Sequence, residues 1–301
     1  MTRTYLLLVL TTVFWGGTAV AGKLVIRDIP PITVGVLRYG AAALILAGLF
    51  WDRLPDPRTL RRVDLWVLLW AGLLGACLNH ICFFVGLVFA PAAHGAIIPS
   101  TTSPVWTLLL GARLGHEKVT PGQITGIIVC LVGVVLVVRP DRLVTGAGAT
   151  VLLGDILFFL CGISWGIYSY ISRLAMRRLP ASATVTFGMG IGALCLLPVA
   201  LFERPWKAFP LAQATAWGAL AYLMFAATLL GFLWWSVAIR RLGAGRTAVF
   251  TNLVPVFGVL LSWLVLGERL TAVQLGGGVL AVAGVLACQG PITQADRRAR
   301  S

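Results

Sequence analysis

The 301 residues are 59% hydrophobic and only 11% charged, with a mean hydropathy of +0.93 and a formal net charge of +14. A soluble domain carries roughly 25% charged residues, and so few cannot clothe a water-facing exterior, so a soluble fold is excluded and lipid is the solvent that fits. The basic excess would suggest nucleic acid in a soluble protein, but here Lys and Arg sit between apolar runs, where they act as topology signals; no nucleic-acid partner is expected.

A membrane span needs roughly 20 mostly apolar residues. Taken in chain order, such runs fall at 4–26, 31–51, 65–89, 92–112, 121–138, 151–173, 181–201, 214–239, 244–266 and 271–288. The first has an alternative: Arg3, the apolar stretch 5–14 and Ala19-Val20-Ala21 have the form of a cleavable leader. The stretch continues to Ile26 and its Trp15-Gly16 pair recurs later, which favours a span. Pro30, Pro31, Pro55, Pro57, Pro121, Pro180, Pro205 and Pro210 punctuate the boundaries, and the connections 52–64, 139–150 and 203–213 are too short for a soluble domain. Cys77, Cys82, Cys130, Cys161, Cys195 and Cys288 lie inside apolar runs and read as small hydrophobes. The fold class is therefore all-α integral membrane with ten transmembrane helices.

With the N-terminus inside, 16 of the 24 Lys and Arg fall on the cytoplasmic side and 7 on the other, while Arg38 stays within a span. The positive-inside rule then places both termini in the cytoplasm, in a bacterial inner membrane.

The two halves are related. Trp15-Gly16 matches Trp165-Gly166, and Pro30 matches Pro180, at an offset of 150. At an offset of 151, Pro104-Val105 matches Pro255-Val256, Glu117-Lys118-Val119-Thr120 matches Glu268-Arg269-Leu270-Thr271, Gln123 matches Gln274, and Gly126 matches Gly277. Five spans per copy is an odd number, so the second copy enters from the opposite face. This is the inverted-repeat arrangement of many secondary transporters, with a site near the midplane. The expected organisation is a first five-helix repeat at 1–140, a second at 151–288 and a cytoplasmic tail at 289–301.

A Trp-Gly near the start of each half, with Glu-[Lys/Arg]-[Val/Leu]-Thr-x2-Gln-x2-Gly near its end, resembles the EamA family of the drug/metabolite transporter superfamily, and the resemblance spans the whole chain. It implies ten helices around a central cavity and export of amino acids or related metabolites, with similarity to the family's aromatic amino-acid exporters. Leu114-Gly115-His116-Glu117 departs from the Leu-Gly-Glu order kept at Leu266-Gly267-Glu268, which bears on the local turn.

Proline inside a helix deprives the carbonyl four residues earlier of its donor. Pro104 thus frees the carbonyl of Ser100 and Pro255 that of Thr251, two hydroxyl residues 151 apart, and Pro99 adds a second break. Such groups persist at depth where they face protein or a wet cavity; the alternative is a tolerated kink whose hydroxyl folds back onto its own chain. On the cavity reading Ser100, Thr101, Thr251 and Asn252 line a pathway. Asn79 and His80, followed one turn later by Phe83, are intramembrane polar candidates, although a buried histidine also serves as a bond between helices. Trp234 is the repeat counterpart of Phe83. Trp15 and Trp165 sit mid-span beside glycine, and with Tyr168 they suit a cavity wall better than an interfacial belt. Glu117 and Glu268 are expected to serve structure; Arg38 could hold a substrate carboxylate, pair with a carbonyl cluster or snorkel to the surface, and a structural role is favoured over direct binding.

No carboxylate falls in the central part of a run, since Asp155 is near a start and Glu117 and Glu268 are at junctions. That favours facilitated transport or exchange, with His80 the titrating group within the membrane. A proton-coupled exporter of cationic compounds is the alternative. A membrane enzyme acting on lipid-like substrates would need carboxylate or histidine clusters at a membrane face, and none stands out. With no Walker loop, zinc triad or dinucleotide loop, no ATP use, catalytic residue, metal or cofactor is expected. The expected partners are a small-molecule substrate and membrane lipid, in a monomer or in a homodimer through the glycine-rich fifth and tenth spans.

Overall fold

The computed structural model describes residues 2–56, 59–114, 119–138, 147–242, 247 and 250–289. Glu117, with most of the 139–150 connection and the tail beyond 289, lies outside the described residues. Among those described there is no strand, and ten principal helices follow one another. These are α1 Thr2–Val25, α2 Pro31–Leu49, α3 Arg62–Phe89, α4 Ala92–Leu114, α5 Pro121–Val138, α6 Ala147–Ala175 and α7 Ala181–Phe202. The remainder are α8, which runs from Ala214–Ala221 through Gly231–Leu242, α9 Leu253–Leu266 and α10 Ala272–Gln289. By length and composition α1, α2, α3, α5, α6, α7 and α8 can each cross a membrane, whereas α9 and α10 are shorter apolar helices. At 23 residues α4 is long enough, but His94, Pro99, Pro104 and its 100–103 hydroxyl run dilute its apolar character. The outer surface is apolar, with Leu44 at 77%, Val279 at 72% and Phe202 at 87% exposure, as a lipid-facing bundle requires.

Glycine sets the helix spacing, because lipid gives no hydrophobic drive between helices and close contact must replace it. A methyl group on Gly16 would strike the backbone of α9 at Gly258, and one on Gly166 would strike Trp106 and the Ser103 carbonyl of α4. The glycine of each Trp-Gly pair thus brings two helices together while its tryptophan turns aside. The fifth and tenth helices pack on each other within the chain: Gly133 lies against Ala281 and the Gly277 carbonyl, and Gly284 against Cys130.

Both α3 and α8 widen into π-helical turns, over Leu73–Leu78 and Tyr222–Leu230, in corresponding parts of the two halves. The Thr-x2-Gln stretches open α5 and α10 as capping boxes. Gln123 Oε1 accepts from the Thr120 N–H at 2.9 Å, and Gln274 Oε1 from the Thr271 N–H at 3.0 Å. Gly267 ends α9 in a left-handed conformation, φ 68°, with its N–H on the Trp263 carbonyl and that of Glu268 on Ser262.

Two boundaries differ from the sequence reading. α6 begins at Ala147 rather than 151, so Asp155 is its ninth residue and is buried rather than at an edge. α9 begins at Leu253 after a 3-10 turn, Phe250–Asn252, so Pro255 falls in a first turn and not at mid-helix. There its missing N–H costs no hydrogen bond.

Candidate functional site

One cavity of about 630 Å³ lies between the two halves, bounded by α1, α2, α3, α4, α6, α7, α8 and the start of α9. Its size is that of a small-molecule site, roughly 300–1,000 Å³. One end of the bundle is plugged by fully buried Val25, Ile29, Leu87, Ala90 and Ala92. Towards the other end the wall runs out to Gln123, near the start of α5, and Arg173, near the end of α6.

The aromatic wall is built from Trp15, Phe83, Trp165, Tyr168 and Phe232. Trp15 donates its Nε1–H to the Ala227 carbonyl at 2.9 Å, within the π turn of α8. Its ring packs on Trp235 and Phe232, with centroids 5.0 and 6.0 Å away. The Trp165 ring meets that of Tyr168 with centroids 4.9 Å apart. Asn79 donates from Nδ2 to the Cys161 carbonyl at 3.1 Å and to its sulfur at 3.0 Å, which fixes the amide and leaves Oδ1 an acceptor without a partner among the described residues.

His80 touches the wall but is 1% exposed, stacked on Phe84 at 4.1 Å and bonded through Nε2 to the Pro31 carbonyl at 2.8 Å. Its observed work is the bond between α3 and α2. On α4 the lining face includes Ala96, Pro99, Ser100, Ser103, Pro104 and Thr107, spaced as one side of a helix. Pro99 and Pro104 leave the carbonyls of Gly95 and Ser100 without helical donors, and both residues lie on the wall. The Ser100 hydroxyl itself folds back onto the carbonyls of Ala96 and Ile97. Thr251 lies on the wall as well.

Several expectations are corrected. Thr101 faces away from the cavity: one helical step from Ser100 turns it towards α5, where its carbonyl accepts the Cys130 thiol at 3.4 Å. Trp234 stacks on Phe14 at 5.5 Å, and the wall position on α8 belongs to Phe232 instead. Asn252 closes the 3-10 turn before α9 and is not on the wall. Arg38, for which a structural role was favoured over substrate binding, is on the wall, 8% exposed, with Nε on Thr228 Oγ1 at 2.7 Å. Thr228 in turn donates to the Leu223 carbonyl at 2.8 Å, a bond that the π turn makes available. The two oxygens of Glu268 accept the N–H groups of Ala92 and Ala93, both at 2.9 Å, and so cap α4.

Sequence reasoning also missed a buried polar group beside the cavity. His94 Nδ1 lies 2.8 Å from Asp155 Oδ1, and His94 Nε2 lies 2.9 Å from Gln274 Nε2. Gln274 spends Oε1 on Thr271, so its Nε2 is a donor and His94 Nε2 must accept. The proton of His94 is therefore on Nδ1 and is donated to Asp155. Only the placement of α6 against α4 brings these residues together, though an aspartate within an apolar run was a signal.

The EamA-like transporter family profile matches residues 2–139 and again 152–288. An uncharacterized transporter of Bacillus subtilis, YyaM, is 29% identical over 96% of this chain and 94% of its own length. A "Probable amino-acid metabolite efflux pump" of Salmonella typhimurium is 26% identical, over 93% of this chain and 92% of its own. A "Probable terminal-alkyne amino-acid exporter" of Streptantibioticus cattleyicolor is also 26% identical, with 93% and 91% covered. One solved crystal structure shares the fold over 95% of this chain and 97% of its own, with a TM-score of 0.63 at 21% identity.

Proposed function

The chain belongs to the EamA-like transporter family, and from that premise we propose that it is a secondary transporter exporting amino acids, aromatic or other neutral ones, and related small metabolites. The observation that carries this reading is the cavity between the halves, whose aromatic walls are interrupted by a few polar groups, Asn79, Arg38 and Thr251. Such walls suit a solute with an apolar side chain and a polar backbone. The names of two relatives, an amino-acid metabolite efflux pump and an amino-acid exporter, point the same way.

In this reading all ten helices cross a bacterial inner membrane as two inverted repeats, 1–140 and 151–288, with both termini in the cytoplasm. The double family match and the paired π turns support the repeat. The positive-inside bias makes the open end cytoplasmic, so the conformation is inward-facing and exchanges with its outward-facing counterpart during transport.

The test is uptake of labelled phenylalanine, leucine and other neutral amino acids by proteoliposomes holding the purified protein. Saturable uptake, competed by related amino acids, is the expected result. Uptake no greater than in empty liposomes across the whole panel would refute the amino-acid reading.

A further inference from the structure

The cavity has a one-sided charge. Arg38 and, at its rim, Arg173 are the charged residues on the described wall, and no aspartate or glutamate lies there. An arginine held at this depth is costly unless something compensates it. Its Nε is fixed by Thr228, whose own proton is committed to Leu223, and its guanidinium carbon lies 5.2 Å from the Tyr39 ring centre. The two Nη nitrogens have no hydrogen-bond partner among the described residues. A guanidinium fixed at Nε with both Nη groups free is an open fork for a carboxylate.

We propose that Arg38 binds the carboxylate of the transported solute, with the Asn79 Oδ1 acceptor and the faces of Trp165 and Tyr168 available to an ammonium group. The proposal rests on the amino-acid reading and deepens it: the substrate class is small apolar solutes with a free carboxylate, and cations without one are excluded.

The experiment is competition against labelled phenylalanine and labelled 3-phenylpropionate, each measured for uptake, with unlabelled phenylalanine, 3-phenylpropionate and phenylalaninamide. Both acids should compete, the amide at least tenfold less well. Arg38→Gln should lose that discrimination together with uptake, and Arg38→Lys should keep part of both. An amide that competes as well as phenylalanine, in a protein that carries phenylalanine, overturns the role of Arg38 and leaves the amino-acid reading intact. Arg38-dependent uptake of 3-phenylpropionate without any amino-acid uptake does the reverse. No uptake of either acid, nor of any neutral amino acid of the panel, overturns both. The wild-type comparison needs no variant, so a failure of Arg38→Gln to fold does not blunt it.

A second observation, independent of the cavity, concerns how the two ends exchange. Glu203, just after α7, seats its carboxylate on the first turn of α2: Oε1 accepts the Ile32 N–H at 3.0 Å, and Oε2 accepts the Thr33 N–H and hydroxyl at 2.7 and 2.8 Å. The two first turns pair at the offset of 150 set by Pro30 and Pro180, so Ile32 and Thr33 correspond to Ser182 and Ala183, while at an offset of 151 Glu203 corresponds to Asp52. At the opposite end Asp52 is exposed, and its carboxylate has no hydrogen bond among the described residues. Other contacts between the halves do occur at both ends, such as Asp28 with the Gln213 N–H and Asp64 with Arg178, each 3.0 Å. A carboxylate and two first-turn N–H groups thus occur at both ends, the Thr33 hydroxyl having no counterpart at Ala183, and the structure uses the seat at one of them.

We infer that Glu203 and Asp52 are alternate latches, Glu203 on α2 in this conformation and Asp52 on the first turn of α7 in the opposite one. Spin-label pairs at Arg27 with Phe202 and at Arg53 with Ala181 report the two ends. Glu203→Gln should lengthen the first distance and shorten the second, whereas Asp52→Asn should favour the conformation described here. Unchanged distances in Glu203→Gln, or shifts of the same sign in both variants, overturn the inference. Should Glu203→Gln not fold, exposed Asp52→Asn carries the test alone, and a shift towards the opposite conformation refutes it.

Discussion

At the scale of single residues, the wall depends on aromatic rings with few other attachments. Trp165 contributes its face and has Tyr168 as its ring partner. An aromatic contact is worth about 0.5–1.5 kcal/mol beyond area burial, so Trp165→Leu should raise the KM for a carried amino acid about three- to tenfold in proteoliposomes, with the folded yield unchanged. The His94–Asp155 pair predicts the converse, a loss of stability. Asp155→Leu leaves His94 Nδ1–H buried without an acceptor, a cost of about 1–3 kcal/mol, visible as a lower Tm of the purified protein. His80 and Asn79 were legible as polar residues in an apolar run. Their partners were not, because Pro31 and Cys161 are 49 and 82 residues away and supply backbone carbonyls. Thr101 shows the complementary limit, since adjacent hydroxyls look equivalent in one dimension and the helix turns them about 100° apart.

At the scale of elements, the recurring motif proves to be largely architectural. Thr120 with Gln123 and Thr271 with Gln274 start helices, Gly277 sets a helix spacing against Gly133, and Glu268 caps a neighbouring helix. Gly133→Leu should therefore disrupt the α5–α10 pair, because its side chain would enter the Ala281 backbone. The expected outcome is a broad, early-eluting peak in size exclusion. Gly276→Ala, where a side chain meets open space, should elute as wild type. Pro99 and Pro104 lie inside α4, which continues through both, whereas Pro255 falls in a first turn, because a 3-10 turn resets the helix start just before it.

At the scale of the whole molecule, the ten-crossing inward-facing reading predicts sidedness. In intact cells a membrane-impermeant thiol reagent should label single cysteines replacing Arg27 or Lys207, and should fail to label those replacing Arg53 or Arg177 until the membrane is opened. Composition and hydropathy determined by themselves that the chain lives in lipid, because no other solvent accepts this apolar fraction. Self-similarity at a 150–151 offset, together with the motif, determined the family. What only the tertiary structure decided is which polar groups meet: Arg38 with Thr228, His94 with Asp155, and Glu203 with the start of α2. In a bundle the backbone satisfies itself within each helix, so the sequence pattern speaks for the helices one at a time. Hydrogen bonds between helices depend on rotation and depth, which packing of the whole set decides.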